Sequence, residues 1–120
     1  MTERLQDAIE LVESGYEFLL AYAAQGRESD DGPGSEVRAV LHDMQQAASA
    51  IVDLMEEHDD GFAWVVTDDA RKSVAAIALV LRQASIGSEI VDNLNASIHL
   101  RALLTDLFLV SEAAAQGTTA

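Results

Sequence analysis

The sequence predicts an all-α protein, a four-helix up-and-down bundle in which residues 1–120 form one domain that dimerises. Three observations support this prediction. Apolar residues make up 49% of the chain and recur every three or four positions through long segments, which is the spacing of a buried helix face. The single Pro and most of the seven Gly lie between these segments, as in helices joined by short connections. Aromatic residues are only 5% of the chain, so the core is expected to consist of Ala, Val, Ile and Leu.

The first helix is predicted over residues 2–25. Thr2 is a suitable N-cap, and Gly26 supplies the left-handed residue that often ends a helix. The apolar stripe of this helix consists of Leu5, Ile9, Val12, Tyr16, Leu19 and Ala23. Residues 26–34, with the sequence GRESDDGPG, have the composition of a loop, and we expect this loop to be flexible.

The second helix is predicted over residues 35–59. It begins at Ser35, with Glu36 near its positive end, and ends before Gly61. Its apolar stripe consists of Val37, Val40, Leu41, Met44, Ala47, Ala48, Ile51, Leu54 and Met55.

The segment GFAWVV, residues 61–66, is too apolar for a solvated loop. We expect it to link the second and third helices and to plug the open end of the bundle with Phe62 and Trp64, the indole N–H of Trp64 finding an acceptor. Thr67 then caps the third helix.

The third helix is predicted over residues 68–91. Its segment 74–81, VAAIALVL, is apolar on every side, as in a central helix or one that faces a second subunit. The end of this helix is open. Gly87 is one candidate break, residues 92–95 are another, and one continuous rod through the fourth helix is the third possibility. We predict the break at residues 92–95, which leaves helices of more even length.

The fourth helix is predicted over residues 96–115. Its apolar residues are Ile98, Leu100, Leu103, Leu104, Leu107, Phe108 and Val110. The stripes of the third and fourth helices are wider than one neighbour needs, so we expect a homodimer formed through them.

The chain is strongly acidic. Seven Lys and Arg stand against 21 Asp and Glu, which gives a net charge of −14. Such a surface repels the phosphates of nucleic acids and of anionic lipids, so neither a nucleic acid nor a membrane is expected as a partner. Three explanations of the acidity stay open: a solubilising, salt-adapted surface, a docking face for a protein partner with a basic face, and a mimic of nucleic acid.

The expected location is the cytoplasm. No apolar run reaches the ~20 residues that a membrane span needs, and the first residues, MTERLQDAIE, lack the pattern of a signal peptide. The chain contains no cysteine, which fits a reducing compartment.

No cofactor or metal site is expected. The acidic neighbours of His58 follow at spacings of one and two residues, point in different directions on a helix and cannot converge on one ion. His58 instead complements the negative end of the second helix. His99 lacks the Glu-x-x-His spacing of di-iron bundles, and we expect it to be a partly buried packing residue or a surface polar group.

His42 is the candidate for chemistry. It is offset by about 200° from Met44 around the second helix, so it is expected to face away from the core. Arg38, Gln46 and other polar residues surround it on the same outer face. An exposed neutral imidazole is nucleophilic.

The segment LHDMQQAASAI, residues 41–51, resembles the phosphoacceptor helix of two-component sensor histidine kinases. The freestanding histidine phosphotransfer domains are similar in size, acidity and helical class, although they place Lys-Gly where this chain has Gln45 and Gln46. The resemblance implies that His42 accepts a phosphoryl group, that Asp43 polarises it and that Gln46 lines the site. Arg38, one turn earlier, is positioned to offset phosphoryl charge.

Two functions therefore follow from the sequence. The first is a cytoplasmic protein-interaction or regulatory module without catalytic activity. The alternative is a phosphotransfer domain that uses His42.

Overall fold

The computed structural model describes residues 3–32, 35–56 and 61–116. Regular structure within these ranges is entirely helical, which confirms the all-α class. The described ranges contain five helices rather than the expected four: α1 (Glu3–Ala24), α2 (Val37–Met55), α3 (Gly61–Leu81), α4 (Ser88–Ala96) and α5 (Ile98–Ala115). None of these helices is both long and apolar enough to cross a membrane. Thr2, His58, residues 33–34 and the predicted end of the second helix lie outside the described residues.

The helices pack side by side into an elongated body of 45 × 22 × 21 Å. α1 packs on α2, α2 on α3, and α3 on α5, while α4 packs mainly on α1. One buried cluster joins the first half of α1, the second half of α2, the first half of α3 and most of α5. A second cluster joins the opposite halves of α1, α2 and α3 to α4. The three long helices α1, α2 and α3 therefore alternate in direction.

Both bounds of α1 and the start of α2 lie close to the predicted ones. Gly26 has a φ of +67° and follows the end of α1, which confirms it as the left-handed stop. α2 begins two residues after Ser35, with Glu36 in the N-cap position. The Ser35 hydroxyl donates to the main-chain oxygen of Gly32 at 2.6 Å, so Ser35 closes the loop instead of capping the helix.

Residues 61–66 were predicted to link the second and third helices. This prediction is wrong, because the segment forms the first turns of α3. Trp64 is 68% exposed and does not plug the bundle, whereas Phe62 is half-buried against the core. Thr67 lies inside the helix, and its hydroxyl donates to the main-chain oxygen of Trp64 at 3.0 Å. The residues that place this segment in α3 are buried at helical spacing: Ala63, Val66 and Ala70.

α3 ends at Leu81, whereas the third helix was predicted to extend to residue 91. Residues 92–95, where we predicted the break, lie within α4. The break lies instead just before Gly87, the other candidate, and a second one lies at Ser97, whose extended ψ of 145° separates α4 from α5. The continuous rod is therefore wrong as well.

α5 differs from its predicted stripe on one side. Leu100, Leu103 and Leu107 are buried as expected, but Ile98 is 73% exposed and Phe108 is 54% exposed. The predicted stripe was too wide to face one core, because residues such as 107 and 108 point about 100° apart on a helix. α5 consequently carries apolar side chains on both its inner and its outer side.

Candidate functional site

His42 lies in the middle of α2 with its side chain exposed to solvent, while Met44 is buried. This confirms the predicted orientation of the histidine away from the core. Among the described residues no hydrogen bond to the imidazole is formed. His42 is therefore an accessible imidazole without a positioning partner.

Arg38 does not face His42. Its Nε donates to the Asp30 Oδ2 at 2.7 Å. Its terminal nitrogens donate to three main-chain oxygens at the end of α3, those of Leu81 at 3.1 Å, Gln83 at 2.8 Å and Ala84 at 3.2 Å. These bonds satisfy carbonyl groups that a helix end leaves open. These donors are used within the fold, and the role of Arg38 beside a phosphoryl group stays a prediction.

Asp43 and Gln46 share a different place. Both line a groove of about 310 Å³ between α1 and α2, which His42 does not line. Asp43 lies about 100° from His42 around the helix, and no hydrogen bond joins the two side chains in the part of the chain that the structure describes. Two of the four predicted site residues are thus brought together, but not with the histidine.

The groove has both apolar and acidic lining residues. The apolar ones are Leu11 and three alanines, and the acidic ones are Asp7 of α1 and Asp43 of α2, with Arg4 also on the α1 side. A Lys or Arg side chain matches such a surface, because its aliphatic stem packs on apolar atoms while its charged end meets a carboxylate. The groove can bind a cationic side chain, but it contains no nucleophile or paired acid and base.

The outer face of α1 continues this acidity. Five carboxylates project from it over about 21 Å of helix: Glu3, Asp7, Glu10, Glu13 and Glu17. The salt bridges of the described residues involve other acids, namely Asp30, Glu56 and Asp68. The α1 carboxylates are therefore not neutralised within the described chain. We call these five residues the acidic face of α1.

A second group of polar contacts joins two loops and was not predicted. Tyr22 is fully buried, and its hydroxyl donates to the main-chain oxygen of Ile86 at 2.7 Å. Burial raises the pKa of this phenol. The Ser88 hydroxyl donates to the Tyr22 main-chain oxygen and accepts from the Arg27 main-chain N–H, each at 2.7 Å. We call this set, together with Asp30 and Arg38, the loop clasp.

Gly87 lies where the loop clasp is tightest. A Cβ atom at this position would lie 2.8 Å from the main-chain oxygen of Arg27 and 2.9 Å from that of Glu28. The main-chain N–H of Ser88 bonds to the same Arg27 oxygen at 2.8 Å. Only glycine permits this approach of two main chains. Two residues of the loop predicted over 26–34 are thus held by hydrogen bonds. Arg27 bonds to Ser88, and Asp30 bonds to Ile86 and Arg38.

A carboxyl pair lies between α3 and α5. Asp106 is 7% exposed, and its Oδ2 has no hydrogen-bond partner within the described residues. Burial, followed by the hydrogen bond and the charge of the neighbouring Asp69, raises the pKa of Asp106 to about 7. Asp106 interrupts the apolar run of α5, and that single acid among leucines was the one sequence signal for this pair.

The remaining candidates give no metal centre. His99 is half-buried, as predicted, and within the described ranges no three His, Cys, Asp or Glu side chains converge as metal ligands. Comparisons of the chain with protein-family models, with curated proteins and with solved structures find no match.

Proposed function

We propose that this chain is a non-catalytic interaction module that binds a protein partner through a basic face. The observation that carries this proposal is the acidic face of α1, whose five carboxylates have no ion-pair partner among the described residues. Charges aligned on one helix produce a continuous negative potential, which accelerates encounter with a positive surface.

The groove beside this face supplies contacts that charge alone does not. Exposed ion pairs contribute only about 0.2–1 kcal/mol each, so several of them give an affinity that salt readily weakens. Apolar contact with Leu11 in the groove adds a contribution to the binding free energy that salt does not screen. A partner segment with Lys or Arg beside aliphatic residues uses both components, with Asp7 and Asp43 holding its cations.

The experiment compares two variants of equal charge. Glu10→Gln/Glu13→Gln/Glu17→Gln removes three of the five charges of the acidic face of α1, and Glu28→Gln/Asp53→Asn/Asp92→Asn removes three charges elsewhere. A partner captured from the native host is purified and titrated against both by calorimetry. We expect the α1 variant to bind about tenfold more weakly, since three pairs of about 0.5 kcal/mol are lost, and the control to bind like the parent chain. Equal binding by all three proteins refutes the proposal and leaves the acidity as a solubilising surface.

A second candidate function, phosphotransfer, is favoured by one observation: the His42 imidazole is exposed and free of hydrogen bonds within the described residues. Its neutral ring is open to an aspartyl phosphate or to a kinase active site. Incubation with phosphorylated response regulators and with the sensor kinases of the host tests this function. Acid-labile, alkali-stable label that is lost in His42→Gln and kept in His99→Gln supports it. Absence of label across the full set refutes it.

We also propose the wider setting of the module. α4 and α5 are separated by one residue and pack between α1 and α3, so they act together as the fourth member of a four-helix up-and-down bundle. The cytoplasm is the proposed location, because the cysteine-free composition suits a reducing compartment.

A further inference from the structure

α5 has two apolar sides. Its inner side is buried in the core through Leu100, Leu103, Leu104, Leu107 and Val110. Its outer side carries Ile98, Phe108 and Leu109, which are 73%, 54% and 55% exposed. Three large apolar side chains on one outer helix face form an unusual surface for an acidic chain, and such a patch indicates an interface.

The spacing of the outer residues is that of a coiled-coil seam. Ile98, Arg101, Thr105, Phe108 and Glu112 follow one another at intervals of three, four, three and four residues, the intervals of alternating a and d positions. All five are exposed. They form a stripe about 21 Å long on the side of α5 that faces away from the core, with Ile98 and Phe108 as its apolar members.

The distribution of charge indicates which molecule can pack against this outer face of α5. Two chains of net charge −14 repel each other over most of their surfaces. α5 contains only two acidic residues, and one of them, Asp106, is buried. The seam carries one positive charge near its start, Arg101, and one negative charge near its end, Glu112. Neither forms an ion pair within the part of the chain that the structure describes.

We propose that α5 pairs with α5 of a second copy of this chain in an antiparallel arrangement. The two-fold axis passes between residues 106 and 107, so that Arg101 lies opposite Glu112 of the other copy and Thr105 lies opposite Phe108. Each dimer then contains two Arg–Glu pairs. A parallel arrangement places Arg101 against Arg101 and Glu112 against Glu112, which is unfavourable.

The size of the seam sets the expected affinity. A single pair of 18-residue helices buries less than the ~800 Å² per partner of a standard interface, and the core of each chain is already complete. The dimer is therefore reversible, with a dissociation constant on the order of micromolar. The proposal places the interface of the predicted homodimer on the outer face of one helix, α5.

Sedimentation equilibrium of the full chain tests this pairing between about 1 and about 500 µM. We expect a concentration-dependent rise from 12.9 kDa toward twice that mass. Phe108→Glu should weaken association by about tenfold or more, because it buries carboxylates in the seam. Leu79→Glu is the matched control, since Leu79 on α3 is 53% exposed and receives the same charge. Far-UV circular dichroism verifies that both variants remain helical.

Charge exchange tests the register. Arg101→Glu and Glu112→Arg should each weaken self-association, because each variant places like charges opposite each other. An equimolar mixture of the two should associate again, and so should the double exchange Arg101→Glu/Glu112→Arg in one chain.

Direction is read from cysteine cross-linking, which is clean because the chain contains no cysteine. In the antiparallel pair Thr105→Cys lies near its own copy, whereas Ile98→Cys lies about 25 Å from its copy along the helix. We expect a disulfide dimer from the first variant alone. A monomer at all concentrations, a dimer lost in Leu79→Glu but kept in Phe108→Glu, or efficient cross-linking through Ile98→Cys overturns the proposal.

Discussion

The Arg38 guanidinium at the start of α2 lies 2.7 Å from the Asp30 carboxylate of the preceding loop, measured from Nε to Oδ2. The other carboxylate oxygen, Oδ1, accepts the main-chain N–H of Ile86 at 2.9 Å. The terminal nitrogens of Arg38 bond to main-chain oxygens at the end of α3. One side-chain pair thus connects two interhelical loops and two helix ends, so its loss should affect the whole fold.

Arg38→Ala is expected to lower the free energy of unfolding by about 2–3 kcal/mol. The substitution leaves the carboxylate of Asp30 and the main-chain oxygens of Leu81, Gln83 and Ala84 without the guanidinium. Such groups cost about 1–3 kcal/mol when buried. Urea denaturation at neutral pH measures the change. Arg82→Ala is the control, because Arg82 is exposed nearby and its removal should change the stability by no more than about 0.5 kcal/mol. Equal losses from both variants would contradict this role of Arg38.

The same pair predicts acid sensitivity. The Ile86 N–H and then the Arg38 guanidinium lower the pKa of Asp30 in the folded chain below its ordinary value of 3.8. A lowered folded pKa means that the stabilisation is present above pH 3.8 and is lost as the pH falls through the folded pKa. Asp30→Asn should therefore be less stable than the parent chain at pH 6, and the difference should shrink below pH 3.8 in a pH series of urea denaturations.

Gly87→Ala is expected to destabilise the protein by about 1–3 kcal/mol. The new methyl group meets two main-chain oxygens at 2.8 and 2.9 Å, and a main chain cannot move aside as a side chain can. Gly61→Ala is the matched control: nothing lies within 4 Å of its added Cβ, and alanine is favoured over glycine in a helix by up to about 1 kcal/mol. Thermal denaturation of both variants gives the comparison, and a stable Gly87→Ala protein would show that the two loops are not in contact.

Local signals explain which helices were predicted well. α1 lies within one residue of its predicted bounds because a regular apolar stripe ends at Gly26, whose φ of +67° makes it a stop. α4 was missed because the contact that requires glycine at position 87 is not local along the chain. The main-chain oxygens that exclude a side chain there belong to Arg27 and Glu28. Periodicity reads neighbours along the chain and carries no information about such distant contacts.

The candidate site divides in the same way. The exposure of His42 follows from its angle on the helix, so the sequence predicted it correctly. The engagement of Arg38 did not follow, since its α3 acceptors lie 43 to 46 residues away along the chain. The groove between α1 and α2 also depends on packing, and only two of its lining residues, Asp43 and Gln46, had been selected beforehand as site residues.

Trp64 offers a direct optical test of the revised α3 boundary. The segment 61–66 was predicted as a buried plug because it is apolar throughout, but in the structure Trp64 is 68% exposed. It is the single Trp of the chain, so its fluorescence has no competing source. We expect emission close to that of tryptophan in water and strong quenching by acrylamide, with little further change on unfolding in urea. A blue-shifted, weakly quenched emission would mean that Trp64 is buried, as the sequence predicted.

The Asp69–Asp106 pair should make the protein more stable in mild acid. Burial, followed by the effect of Asp69, raises the folded pKa of Asp106 from 3.8 to about 7. Since Asp106 keeps its proton to a higher pH in the folded chain than in the unfolded one, its contribution to stability is complete below pH 3.8 and is lost as the pH rises through about 7.

Asp106→Asn preserves the shape of the protonated acid and removes its ionisation. We therefore expect this variant to exceed the parent chain in stability by about 2 kcal/mol at pH 8 and to match it near pH 4, in urea denaturation across that range. Asp53→Asn, at an exposed site on α2, should follow the parent chain throughout. An Asp106→Asn protein that loses stability equally at both pH values would mean that the carboxylate, rather than the acid, is the form that the fold favours.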